Sequence, residues 1–236
     1  MIPILNDKPK YEMTIPSTGS SVRFRPYLVK EEKVLMMAFE SKDEKASLRA
    51  VIDTIKSCVD DDINTDKLHL FDVEYMFTKI RGKSTGEIVE LSVPCESCEQ
   101  TSEISVNIDD VKINGDLKVE SNIVLSDEIS IDMDWPLYNK MIANDKINDS
   151  ASEVEQLIEL ICECIISINT ADDVILVKDE PKEQLVRFVE SMTSDQFTKV
   201  KDYLDKMPVC EVNHKFKCPH CGHDNELNIR NISDFF

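Results

Sequence analysis

Cys95-Glu96-Ser97-Cys98 and Cys218-Pro219-His220-Cys221 are the two places where residue type and spacing converge on one chemistry. A Cys-x-x-Cys turn brings two thiolates to ~2.3 Å from one ion without straining the backbone, and two such turns supply the four tetrahedral donors that Zn²⁺ prefers. The predicted ligand set is therefore Cys95, Cys98, Cys218 and Cys221. Four thiolates leave no open coordination position, which makes the expected zinc structural rather than catalytic. Gly222, next after Cys221, permits the tight backbone that follows a knuckle. The separation is unusual: compact ribbons place their pairs ~15–20 residues apart, whereas about 120 residues intervene here.

A redox pair is the rival chemistry, because Cys218-Pro219-His220-Cys221 has the form of an oxidoreductase motif. Such a motif opens a helix after a buried strand, where the helix dipole lowers the thiol pKa. Glu226-Leu227-Asn228-Ile229 instead continues as an alternating strand. Free thiols or an adventitious bridge are the remaining alternatives. His214, His220 and His223 gather around the second pair and read as surface or supporting residues, since four thiolates already suffice. Cys58 and Cys162 fall on apolar helix stripes and read as core, with Cys164 two positions from Cys162. Cys210, on the strand leading to the second pair, is the weaker alternative ligand.

No nucleophile elbow, P-loop or dinucleotide fingerprint occurs, and five glycines leave little material for phosphate-cradling loops. Nothing nominates an active site, so the expectation is a protein without enzymatic activity.

The elements that must position the cysteines follow from periodicity. Tyr11, Met13 and Ile15 alternate with polar residues, Pro16-Ser17-Thr18-Gly19-Ser20 supplies a turn, and Val22-Arg23-Phe24 resumes the alternation, which predicts a β-hairpin. A helical region begins near Val29. Leu48, Val51, Ile52, Ile55, Cys58 and Val59 make one apolar stripe; Val73, Met76, Phe77 and Ile80 make another that ends before Gly82. From Glu87 the period becomes two on both sides of Cys95 and Cys98. The stretch 109–134 has short β-like runs and reads as a partly extended acidic connector. Helices return at Pro136, and most clearly over 152–168, where Val154, Leu157, Ile158, Ile161, Cys162 and Ile165 line one side. Pro181 opens a further helix, Thr193 and Gln196 form a capping box for the next, and Pro208 stops it.

The last segment repeats the earlier one. With Cys95 set on Cys218, Val89 meets Val212, Val93 meets Phe216, Glu103 meets Glu226, Ile104 meets Leu227 and Val106 meets Ile229. Both copies read strand, Cys-x-x-Cys turn, strand. The expected class is α+β, with the two β-knuckles brought together as a split zinc ribbon. The expected segments are an amino-terminal hairpin (1–28), a helical region (29–82), the first knuckle (83–110), a mostly helical insertion (111–207) and the second knuckle (208–236).

Bulk composition narrows the partners. Lys and Arg number 27 against 46 Asp and Glu, a formal charge of −19. That balance opposes a general nucleic-acid binder, which needs cations to displace the counterions of phosphate, and equally an anionic membrane surface. The first residues lack the basic stretch and apolar run of an export signal, and no run approaches the ~18 apolar residues of a membrane span. Eight cysteines in such a chain point to thiols or metal ligation rather than disulfides.

Phe24-Arg25-Pro26-Tyr27-Leu28-Val29-Lys30-Glu31-Glu32-Lys33-Val34-Leu35 resembles the amino-terminal signature of the baseplate proteins of T4-type contractile-tailed bacteriophages, and Met1-Ile2-Pro3-Ile4-Leu5 with the hairpin before the signature is similar too. The resemblance implies a baseplate hub assembly protein that binds phage hub proteins, either as a chaperone that leaves or as a subunit that stays. It places the protein in the host cytoplasm during assembly, or in the virion baseplate if retained. A thiol–disulfide oxidoreductase using Cys218 and Cys221, or a host-directed zinc-ribbon adaptor, are the alternatives. In purely physical terms, the signature reads as a hairpin-to-helix junction whose Lys30-Glu31-Glu32-Lys33 block is exposed while Val34, Leu35 and Ala38 face inward.

Overall fold

A computed structural model describes residues 9–144 and 152–230 of the chain; Met1-Ile2-Pro3-Ile4-Leu5 lies outside them. The architecture is α+β, in two compact units. Of the described residues, the first takes those up to Thr65, Phe71–Asn114 and those from Val209 onward; the second takes Asp66–Leu70 and those between Gly115 and Pro208.

In the first unit, β1 (Tyr11–Thr14) and β2 (Ser21–Phe24) pair antiparallel as the alternation predicts, burying Met13, Val22 and Phe24. Helix α1 (Val29–Glu40) follows. Its start is held by Glu31, whose Oε2 accepts the Leu28 N–H at 2.8 Å and whose Oε1 accepts from Arg25 at 3.0 Å. Glu31 is therefore buried, contrary to the expectation of an exposed block from Lys30 to Lys33. Leu35, one turn on, shares its inward face, while Val34 turns outward and is 53% exposed. The clasp between Arg25 and Glu31 sets the rotation of the helix, and the apolar pattern alone does not reveal it.

Helix α2 (Glu44–Cys58), capped by Asp43 through the Ala46 N–H, buries Val51, Ile55 and Cys58. Helix α3 (Leu70–Thr85) buries Val73, Met76, Phe77 and Ile80, and it continues past Gly82, where the apolar stripe suggested an end. Gly82 sits inside the helix against Ile108 rather than at a terminus. Strands β3 (Ile88–Pro94) and β4 (Thr101–Asn107) then form an antiparallel hairpin around the first Cys-x-x-Cys turn, with Leu91 opposite Ile104. Short β5 (Lys112–Asn114) follows.

The second unit holds a four-stranded antiparallel sheet beside its helices. Its strands are β6 (Asn122–Val124), β7 (Ile129–Met133), β8 (Ile165–Thr170) and β9 (Val174–Leu176), in that spatial order. The stretch 109–134, read as a connector with short β-like runs, supplies β5, β6 and β7; β6 falls on one such run, Asn122-Ile123-Val124-Leu125, and the three strands pair into sheets rather than form a connector. Helix α4 (Tyr138–Ala143) begins two residues after Pro136. Helix α5 (Glu153–Cys164) ends at Cys164 rather than running to Ile168, because the β-branched residues Ile165, Ile166 and Ile168 carry the chain straight into β8. Helices α6 (Lys182–Glu190) and α7 (Ser194–Leu204) complete the unit. Pro181 stands at the α6 N-cap, and Thr193 and Gln196 close the expected capping box. Trp135 and Tyr203 stack with ring centroids 4.3 Å apart.

The chain then rejoins the first unit through β10 (Val209–Lys217) and β11 (Asp224–Ile229), which pair with β5 in the order β11-β10-β5.

Candidate metal centre

Two devices overcome the long separation between the knuckles. β5, which follows the first knuckle, pairs antiparallel with β10, which leads into the second: Val209 lies opposite Asn114, Cys210 opposite Ile113 and Glu211 opposite Lys112. Gly115 and Pro208, just beyond this pairing, touch so closely that a Cβ on Gly115 would lie 2.9 Å from the Pro208 Cα; with φ +129° the position calls for glycine. The ends of the intervening segment are thereby held together. Behind them the two hairpins share one core, in which Ile104, Val106 and Ile108 pack with Val212, Ile229 and Cys210. Cys210 thus belongs to the core and is not among the clustered sulfurs. Cys58, Cys162 and Cys164 are buried as well.

The two turns repeat each other bond for bond. In the first, the Cys95 N–H donates to Gln100 O at 3.0 Å and the Glu99 N–H to Cys95 O at 2.9 Å. In the second, the Cys218 N–H donates to His223 O at 2.8 Å and the Gly222 N–H to Cys218 O at 2.9 Å. Glu99 and Gly222 both take the left-handed conformation, at φ 59° and 74°. The repeat seen in the sequence is a structural repeat.

The four sulfurs of Cys95, Cys98, Cys218 and Cys221 all lie within 4.8 Å of one another. Cys95 Sγ is 3.7 Å from Cys221 Sγ, and Cys98 Sγ is 3.7 Å from Cys218 Sγ. A tetrahedron of sulfurs ~2.3 Å from a central ion has edges of ~3.8 Å, so these distances suit a shared metal. They are far from the ~2.05 Å of a disulfide. His214, His220 and His223 do not join the cluster.

The surroundings do not treat the sulfurs alike. Burial raises the Cys95 pKa, but hydrogen bonds from the Cys98 and Ser97 N–H groups and contacts with Asn225 and Cys221 outweigh it and pull the thiol down to about 6. The Gln100 backbone lowers Cys98, yet desolvation and the neighbouring sulfurs push it up to about 12. Cys218 is lowered, chiefly by the Cys221 N–H, against the desolvation that raises it. Each knuckle thus has one sulfur, Cys95 or Cys218, held below the ordinary thiol value, whereas Cys98 would surrender its proton only to a bound cation. The second turn leads into β11 and not into a helix, so it lacks the dipole that activates an oxidoreductase thiol.

One buried residue of the site escaped the sequence reading. Asn225 accepts the Glu96 N–H at 3.0 Å and links the knuckles directly. Its signal was a polar residue on the inward-facing period of β11, matched by Ser102 at the equivalent place in β4.

Residues 8–236 match the family described as T4 bacteriophage base plate protein. The chain belongs to that family. The match spans nearly the whole chain, well beyond the signature around Phe24-Arg25-Pro26, and supports a structural or assembly role in the phage baseplate. No curated protein and no solved structure matches the chain. Among the described residues of this baseplate protein, no helix is long and apolar enough to cross a membrane.

Proposed function

We propose that this is a baseplate hub assembly protein, acting by protein–protein binding and stabilised by one structural Zn²⁺ on Cys95, Cys98, Cys218 and Cys221. The family match over residues 8–236 carries the functional reading. The sulfur spacing supports the metal. A closed thiolate shell supplies no substrate position, so the ion acts as a cross-link between two hairpins distant in sequence. The role is non-enzymatic in this reading, and its place is the host cytoplasm during assembly. Hub subunits expose apolar surface before their partners arrive, and a bound assembly protein covers such surface or holds it in the competent arrangement.

The test is infection with a phage lacking this protein. Heads and tail components accumulate while completed hubs are missing; normal hubs in its absence reject the proposal. Probing purified tails for the protein then separates a retained subunit from a chaperone that departs.

A further inference from the structure

Four of the eleven exposed large apolar residues among those described lie on one helix of twelve residues: Val29 at 79% exposure, Val34 at 53%, Met36 at 57% and Met37 at 60%, all on α1. Its inner side is accounted for by Leu35 and by Glu31 with its Arg25 partner. The outer side is a second apolar face on the same helix. Val29, Lys33, Met36 and Glu40 recur along it at the four-three-four spacing of a helix–helix seam.

The order of charge on this face identifies its occupant. Lys30 and Lys33 stand in the amino-terminal half and Glu40 at the carboxy-terminal end, all exposed. An antiparallel copy of the same helix sets each Lys33 within a turn of the other chain's Glu40, with Met36 and Met37 of both chains between. The helix dipoles oppose favourably in that arrangement. Two copies of a chain with net charge −19 repel each other over most of their surface. On this face Lys30 and Lys33 offset Glu32 and Glu40, so a second copy can approach it without the repulsion that the net charge imposes elsewhere. A twofold interface requires a patch complementary to itself, and this face meets the requirement.

We infer that α1 is the seam of a twofold homodimer, with Met36 and Met37 at its centre and reciprocal pairs between Lys33 and Glu40 closing it. This is independent of the hub reading and of the metal.

Sedimentation of the full-length protein as purified, over a concentration series, tests it. The wild type sediments as a monomer–dimer equilibrium. Met36→Glu with Met37→Glu places charge in the seam and raises the dimer Kd by roughly tenfold or more. Both residues are exposed, so circular dichroism and zinc content stay as in the wild type. Lys33→Glu alone weakens the dimer, and adding Glu40→Lys restores it, a reciprocity that only the antiparallel register produces. A monomer at every soluble concentration overturns the proposal, including the case where α1 variants still block hub assembly, since the occupant is then another subunit. A dimer indifferent to the methionine changes also overturns it, and a double charge swap that fails to rescue Lys33→Glu overturns the register.

Discussion

The backbone N–H of Glu96 donates to Oδ1 of Asn225 at 3.0 Å, joining the first knuckle to the second beside the sulfur cluster. Asn225 is buried, and its Nδ2 donates to His223 O at 3.1 Å within its own turn. The internal repeat sets Ser102 in the place of Asn225 and Pro219 in the place of Glu96. Pro219 has no N–H to give, and Ser102 Oγ is buried with no hydrogen-bond partner. A symmetric pair of ties is thus made on one side only.

Asn225→Ala removes that tie and leaves the Glu96 N–H without its acceptor. The expected cost is about 1–3 kcal/mol of folding stability, together with ~10–100-fold weaker metal retention, the usual effect of losing a residue that orients ligands. Ser102→Ala, at the equivalent position, is close to neutral because no bond is lost. Urea titrations and chelator competition on both variants check the asymmetry. Equal effects at the two positions would contradict it.

The paired left-handed positions give a second contrast. Glu99 bears a side chain at φ 59° where the other knuckle has Gly222 at 74°. Glu99→Gly relieves a conformation that costs an L-residue ~1–2 kcal/mol, offset in part by the greater flexibility of glycine when unfolded. A gain of up to ~1 kcal/mol is expected there, and a loss of about that size for Gly222→Ala. Thermal melts of the zinc-loaded proteins measure both.

Metal removal tests the cluster as a whole. Protein prepared without chelators should carry about one zinc per chain, and Cys95→Ser should release it. Structural zinc contributes ~10–16 kcal/mol of apparent binding free energy in small finger peptides. The loss here is smaller, because Ile104, Val106, Val212 and Ile229 keep a core of their own. Cys218 and Cys221 should resist alkylation until the metal is chelated. Elemental analysis without zinc, or rapid alkylation of Cys218 in loaded protein, would count against the site.

The sequence showed more of the site than of the fold around it. Both turns and their flanking strands were legible, because local alternation and the Cys-x-x-Cys spacing determine them. The docking of β5 on β10 was not, since three residues such as Lys112-Ile113-Asn114 carry no periodic signal and gain their pairing from distant residues. The end of α5 was missed for a related reason. Ile165 continues the helical stripe of Ile158, Ile161 and Cys162 while also beginning the alternation of β8, and the sheet decides which applies. Glu31 shows the limit of apolar patterning: in the sequence it is one charge in a charged block, and the reach of Arg25 buries it.

Arg25 and Glu31 also make a prediction for acid stability. Arg25 donates to Glu31 Oε1 at 3.0 Å, to Ser57 O at 2.8 Å and to Pro26 O at 2.9 Å, fastening the hairpin to α1 and to the end of α2. Burial raises the Glu31 pKa, but the Leu28 N–H, Arg25 and Lys30 together bring it below the ordinary value. The folded state therefore favours the ionised carboxylate. The stability this contributes is complete above the unfolded-state pKa of ~4.3 and disappears as pH falls through the lowered folded value. Glu31→Gln should lower stability at neutral pH and flatten the acid limb of the profile. Arg25→Ala should cost up to about 3 kcal/mol, the lower end of the scale for breaking a buried pair, because Lys30 still pairs with the carboxylate left behind. Denaturant titrations from pH 7 down to about 3 read both effects. An acid limb in Glu31→Gln as steep as that of the wild type would show that other carboxylates, not this clasp, govern the acid response.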